Sequence, residues 1–182
     1  MLPRYFWSWI PKPIPNQMNT YDIVERLKSK FNTDAILVVN EKATQPIIQI
    51  PVNLLLDICQ FLHEDELLYF DFMACLTGID NGPEKGTMEV IYHLTSIPYQ
   101  RNLTLKVILP RQIDGQQPSI PSLSSIWKTA DWHEREAFDL IGILFENHPD
   151  LRRILLPKDW EGHPLQKDYQ EQNSYHGIKV KY

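Results

Sequence analysis

Cysteine is scarce in this chain of 182 residues, which has only Cys59 and Cys75. Iron–sulfur clusters generally need several thiolates, usually in close pairs, so two isolated cysteines do not supply one. The same scarcity suits a reducing compartment, with a single disulfide left open. Glycine is sparse as well: seven are present, and the nearest cluster, Gly78, Gly82 and Gly86, fits neither the dinucleotide nor the P-loop spacing. Long apolar runs are missing. Stretches such as Ile141–Phe145 reach about five residues, against the ~20 that a spanning helix requires. The opening residues, Met1 to Trp9, show neither a long apolar stretch nor a small-residue cleavage site, which reads as no export signal. Excess positive charge is also lacking. A net charge of -5 leaves no basic stripe for nucleic acid.

Catalytic equipment is equally hard to find. His133-Glu134 opens a zinc-protease pattern, but Ala137 stands where the second histidine would be. The six histidines are scattered without companion ligands, and no Gly-x-Ser-x-Gly elbow occurs. What is present is an ordinary globular composition, 43% hydrophobic and 23% charged, of a size for one domain with arms.

Pro3, Pro11, Pro13 and Pro15 among aromatics make residues 1–18 an extended N-terminal arm. Residues 19–156 carry the periodic elements. Thr20 is positioned to cap a helix with Ile23, Val24, Leu27 and Phe31 on one face. Strands are expected at Ala35–Val39 and Pro46–Ile50, then a helix over Leu54–Leu62. Three β-rich stretches follow: Leu67–Leu76, Met88–Leu94 and Leu103–Leu109, with turn chemistry at Gly78–Pro83. Ser122–Lys128 and Trp132–Ile141 read as helices and Ile143–Phe145 as a strand. This order predicts an α+β fold, a two-layer domain with a mixed β-sheet. Residues 157–182 lose periodicity but keep aromatics, as an extended C-terminal arm lying on its own domain or on another chain.

The densest polar information is in residues 127–142. Asp131 and Glu134 have capping-box spacing, with the Glu134 carboxylate turned back toward the helix start. Steps of about 100° place Trp132, Arg135, Glu136 and Asp139 on one face, opposite Ala137, Phe138, Leu140 and Ile141. Arg135 before Asp139 is the weaker order for an intrahelical ion pair, so helix stability alone explains the cluster poorly, and an ordinary solvated charged face stays open beside a contact surface. Downstream, Asn147 suits positive φ, and Arg152 and Arg153 offer planar cations for carboxylates.

The pattern Glu134-Arg135-Glu136, Asp139-Leu140-Ile141-Gly142-Ile143, Phe145, His148-Pro149-Asp150-Leu151 and Arg152-Arg153-Ile154-Leu155 continues through Pro157, Asp159-Trp160, Gly162, Pro164-Leu165 and Lys167-Asp168-Tyr169. It resembles the signature of the 30-kDa (C-type) subunit family of proton-pumping NADH:quinone oxidoreductase, respiratory complex I. Tyr92-His93-Leu94 and Leu109-Pro110-Arg111 give weaker support upstream. A J-type version in cyanobacteria and chloroplasts shares the segment. Asn147 replaces a frequent glycine, and Gln166 a frequently basic residue.

The resemblance implies a non-catalytic structural subunit of the peripheral arm, in the quinone module, packed on the 49-kDa (D-type) subunit and other peripheral-arm subunits. It implies a place on the cytoplasmic side of the bacterial plasma membrane, without a span of its own. No cofactor is expected in the chain, the FMN and iron–sulfur clusters being in partner subunits. The partner-facing candidates are Trp132, Glu134, Arg135, Glu136, Asp139, His148, Arg152, Arg153, Trp160, Asp168 and Tyr169. The alternative is the equivalent subunit of a ferredoxin-dependent or membrane-bound hydrogenase complex. A free-standing hydrolase or metalloenzyme using Glu134, Glu136, Asp139 and His148 is the rival of a different class.

Overall fold

The computed structural model describes residues 18–40, 42–112 and 115–180. The N-terminal arm expected over residues 1–18 lies outside them except for Met18.

Helix α1 (Thr20–Phe31) begins one residue earlier than the spacing predicts. Asn19, not Thr20, is the cap: its side chain accepts from Asp22 N at 3.0 Å while Asp22 accepts from Asn19 N at 2.8 Å. Only the Asn19 register puts an acid at the third helical position, and the reciprocal box follows. The helix buries Ile23, Val24 and Leu27. A 3-10 turn at Thr33–Ala35 takes up the start of the expected strand, so β1 is Val38–Asn40; β2 is Ile47–Gln49. Helix α2 (Leu55–Glu64) buries Leu55, Ile58, Cys59 and Leu62. Each such leucine contributes about 1.5–3 kcal/mol of transfer free energy.

Strands β3 (Phe72–Asp80), β4 (Thr87–Ser96) and β5 (Arg101–Pro110) complete a five-stranded sheet ordered β1-β2-β5-β4-β3. The β2–β5 pair is parallel and the other pairs antiparallel, so the sheet is mixed as predicted. β3 starts later than the apolar run suggests, because the Asp65 carboxylate accepts from Leu67 N and Leu68 N and holds that stretch in a turn. β3 also continues through Gly78 to Asp80. The reversal falls on residues 81–86, closed by Gly86 N to Gly82 O at 3.0 Å.

In β4, Met88, Val90, Tyr92 and Leu94 are buried while Glu89, Ile91, His93 and Thr95 are half-exposed. One face of the sheet therefore meets the helices and the other stays open, which makes two layers. Helix α3 (Ala130–Ile141) packs beside β3. Gly78 permits its approach: a Cβ there would meet Ile141 Cδ1 at 2.8 Å.

The helix expected over Ser122–Lys128 does not form. Ser122 Oγ accepts from Ser124 N and Leu123 N bonds to Glu134, so local side-chain bonds hold the backbone in turns. A small parallel pair, β6 (Ser119–Pro121) with β7 (Leu144–Glu146), brackets α3 instead. Near the C-terminus β8 (Ser174–Tyr175) and β9 (Ile178–Lys179) form a hairpin whose turn, His176-Gly177, has positive φ at both residues, as a type I′ turn needs.

Candidate functional site

Helix α3 and the segments bonded to it gather most of the sequence candidates. Asp139, fully buried, accepts from Arg153 Nη1 at 2.7 Å and, through Oδ2, from the consecutive amides of Ile154, Leu155 and Leu156 at 3.0, 2.8 and 2.9 Å. Three amides aimed at one oxygen make an anion nest, here filled by the chain's own carboxylate. Burial raises the Asp139 pKa, but the bonds from Leu156 N, Arg153, Leu155 N and Ile154 N outweigh it and hold the group below its ordinary value. Arg153 Nη2 then donates to the carbonyls of Trp160 and Gly162, both at 3.0 Å.

The C-terminal end of α3 leaves backbone carbonyls without helical partners, as every helix does. The stretch around His163 to Gln166 satisfies them. His163 Nδ1 lies 2.9 Å from Asp139 O, Leu165 N donates to Leu140 O at 2.9 Å, and Gln166 Nε2 donates to Ile141 O at 2.7 Å. The first contact requires the Nδ1–H tautomer, which frees His163 Nε2 to accept from Gln117. Gly142 ends the helix at φ 86, where a Cβ would press on the His163 ring.

At the other end, Glu134 is also fully buried. Its Oε2 accepts from Ser122 Oγ at 2.6 Å and its Oε1 from Leu123 N at 2.7 Å. Burial pushes its pKa up to about 7, against the lowering bonds from Ser122 and Leu123, with a further push from Asp131. His148 accepts from Asp150 N on Nδ1, so the proton is on Nε2, which donates to Asp131 O at 3.1 Å. That ring lies 3.9 Å from Glu134 Oε2.

A family model described as "Respiratory-chain NADH dehydrogenase, 30 Kd subunit" matches residues 48–175. The chain belongs to this 30-kDa subunit family. A 30-kDa-type relative from Chloroherpeton thalassium, the C-type subunit of an NADH-quinone oxidoreductase, is 45% identical over 172 residues, covering 93% of this chain and 67% of its own. The C-type NADH-quinone oxidoreductase subunit from Chlorobium phaeobacteroides is 42% identical over 171 residues, covering 93% and 98%. Among solved structures, a chain of the membrane-bound sulfane sulfur reductase, an archaeal respiratory membrane complex, has a TM-score of 0.67 at 22% identity, covering 82% of this chain and 85% of that one. A trypsin-resistant Nqo5 fragment has a TM-score of 0.54 at 24%, covering 71% and 99%. At these identities the likeness is one of fold. Membership makes the chain a subunit of complex I or a related membrane complex, and no described helix is long and apolar enough to cross a membrane.

Several partner-facing candidates of this 30-kDa-type chain are corrected by the geometry. Glu134 and Asp139 are sealed inside, and Asp139 is not on the exposed face of α3 because its carboxylate turns into the 154–156 nest. Glu134 makes no capping box; it is drawn to Ser122 and Leu123 instead, and no side chain caps α3 at Thr129. Arg135 is buried and gives its protons to the carbonyls of Arg152 and Arg153, while Arg153 takes the ion pair with Asp139. The His148 side chain is buried too. Trp160 donates to Tyr169 Oη and packs on the Tyr175 ring at 5.3 Å, so these aromatics first bind the chain to itself.

Outward-facing residues remain. Trp132 is 69% exposed, Glu136 and Asp168 are exposed, and among the described residues the Arg152 side chain reaches only the exposed Asp150, at 2.8 Å. A second internal hub is one that sequence reasoning misses. Buried Asp80 accepts from Gly82 N, Arg111 Nε and Lys167 N at 3.0, 2.9 and 2.8 Å, and Arg111 also bonds Asp168. By spacing, Asp80 reads as turn chemistry alone; its one further signal is an acid ending an apolar strand.

Proposed function

We propose that the chain is a non-catalytic structural subunit in the quinone module of a proton-translocating NADH:quinone oxidoreductase. It docks on the 49-kDa (D-type) subunit on the cytoplasmic side of the bacterial plasma membrane. The FMN and iron–sulfur clusters that carry the electrons reside in partner subunits, and this chain holds none. Relatives at 42–45% identity over nearly the whole chain support the NADH–quinone reading over the hydrogenase-type alternative.

The observation that carries the structural role is how the signature charges are used. Asp139 pairs with Arg153, Glu134 is held by the Ser122 hydroxyl and Leu123 N, and Arg135 by the carbonyls of Arg152 and Arg153, leaving none of them poised toward a substrate. What they hold in place is an outer surface: Trp132 and Glu136 on α3, Leu155 (63% exposed) on the nest segment, and Leu165 (57% exposed) on the capping segment. Exposed aromatic and aliphatic anchors on a rigid frame are the usual centre of a protein–protein interface.

Co-expression with and without the D-type subunit tests this. The chain should co-purify with that subunit, and Trp132→Ala should lower the amount of assembled complex while leaving NADH:quinone turnover per assembled complex unchanged. Full assembly with lost turnover would overturn the non-catalytic reading. An isolated chain that shows no affinity for the D-type subunit would overturn the docking.

A further inference from the structure

β3 is the end strand of the five-stranded sheet: β4 pairs with one side, and no described strand pairs with the other. Free edges of isolated proteins are usually blunted by charges, prolines or a covering element. Here Phe72-Met73-Ala74-Cys75-Leu76-Thr77-Gly78-Ile79-Asp80 has neither lysine nor proline, and its single charge, Asp80, is taken up by the Arg111 guanidinium and the Lys167 backbone amide. One end of the edge is closed by Thr129, whose hydroxyl donates to Met73 O at 2.9 Å, and the other by the segment at Lys167. Between these closures a cleft of about 200 Å³ runs along Cys75–Gly78. Its far wall is the flank of α3, where His133, Glu136 and Leu140 stand one helical turn apart, together with Leu165.

We propose that this groove takes an extended strand from a neighbouring subunit, which adds to the free edge of β3 and rests against the outer flank of α3. The proposal deepens the reading of the chain as a docking subunit and rests on it. Backbone groups of β3 supply the pairing, and alternate side chains of the guest meet the two walls. The guest places aliphatic side chains over Leu140, Leu165 and Leu76, and a lysine or arginine against Glu136. Glu136 is exposed, and its side chain has no ion pair or hydrogen bond among the described residues. A second copy of this chain is a poor guest: its own β3 has no cation to offer Glu136, and the net charge of -5 opposes self-association.

The test uses the purified holo-complex beside the isolated chain. The photo-crosslinking residue p-benzoylphenylalanine is placed at Thr77 or at Ile79, which face the same side of the sheet. Crosslinks from the two positions should reach one partner subunit at sites two residues apart, the spacing of a paired strand. Half-buried Cys75 should react with N-ethylmaleimide at least tenfold more slowly in the holo-complex than in the isolated chain. Glu136→Lys should restore much of that reactivity. Crosslink sites three or four residues apart would mean a helix covers the groove, and crosslinks to this chain's own residues 1–17 or to a second copy would name a different guest; each overturns the proposal. Normal assembly with Cys75 equally reactive in both states would overturn it too while leaving the docking reading intact, whereas failure of the chain to assemble at all would strike at that reading.

Discussion

Replacing Asp139 by alanine removes the acceptor for four donors at once: Arg153 Nη1 at 2.7 Å and the amides of Ile154, Leu155 and Leu156 at 2.8–3.0 Å. Breaking a buried ion pair by removing one partner costs about 3–5 kcal/mol, since the surviving charge is left unpaired. The three amides add less than three separate bonds would, because Leu155 is 63% exposed and water can reach the loosened segment. The expected loss for Asp139→Ala is therefore about 3–5 kcal/mol. Asp139→Asn keeps one oxygen for the nest but sets an amide N–H against Arg153, and should lose about 1.5–3 kcal/mol.

Urea unfolding followed by circular dichroism at pH 7 measures both changes. Hydrogen exchange at the 154–156 amides locates them, and a cycle with Arg153→Met isolates the pair. The pH dependence has a definite sign. The folded-state pKa of Asp139 lies below its ordinary value, so its contribution is complete above the unfolded pKa of about 3.9 and is lost as pH falls through the folded value. An Asp139→Ala chain within about 0.5 kcal/mol of wild type, with exchange at the three amides unchanged, would refute the reasoning.

Glu134 should behave in the opposite way. With its pKa raised from 4.5 to about 7, the folded state holds a proton the unfolded chain has released, so stability falls by about 3 kcal/mol as pH rises from 4.5 to 7. Glu134→Gln, facing Ser122, Leu123, Asp131 and His148, should flatten that slope; parallel urea midpoints for the two chains across the window would sink the assignment. Gly142→Ala should cost more than about 1 kcal/mol, from positive φ and from the clash with His163, with loss of exchange protection at Leu165 as its signature. Trp132→Ala and Arg152→Ala should leave thermal unfolding of the chain unchanged, because both side chains are exposed, while Trp132→Ala weakens binding to the D-type subunit by about tenfold or more in a titration.

The α+β class, the mixed sheet, α2, α3 and the three long strands were legible from periodicity, because a half-buried strand alternates and an amphipathic helix repeats near 3.6 wherever one face is dry. So was the family, whose signature is a run of ordered residue types along the chain. Local competition between partners was less visible. Asn19 displaced Thr20 because its box closes on Asp22, and Ser122–Lys128 became turns because its hydroxyls and amides had nearer partners than helical ones. Least visible was the destination of each charge. Helical projection put Arg135 and Asp139 side by side on a polar face, since spacing along one helix was all it could use. The tertiary structure sent Asp139 to amides fifteen to seventeen residues away and Asp80 to Lys167, 87 positions on. A carboxylate stays buried only where enough donors converge on it. Composition and order fix which residues can supply those donors, and the folded chain alone brings them within about 3 Å of one oxygen.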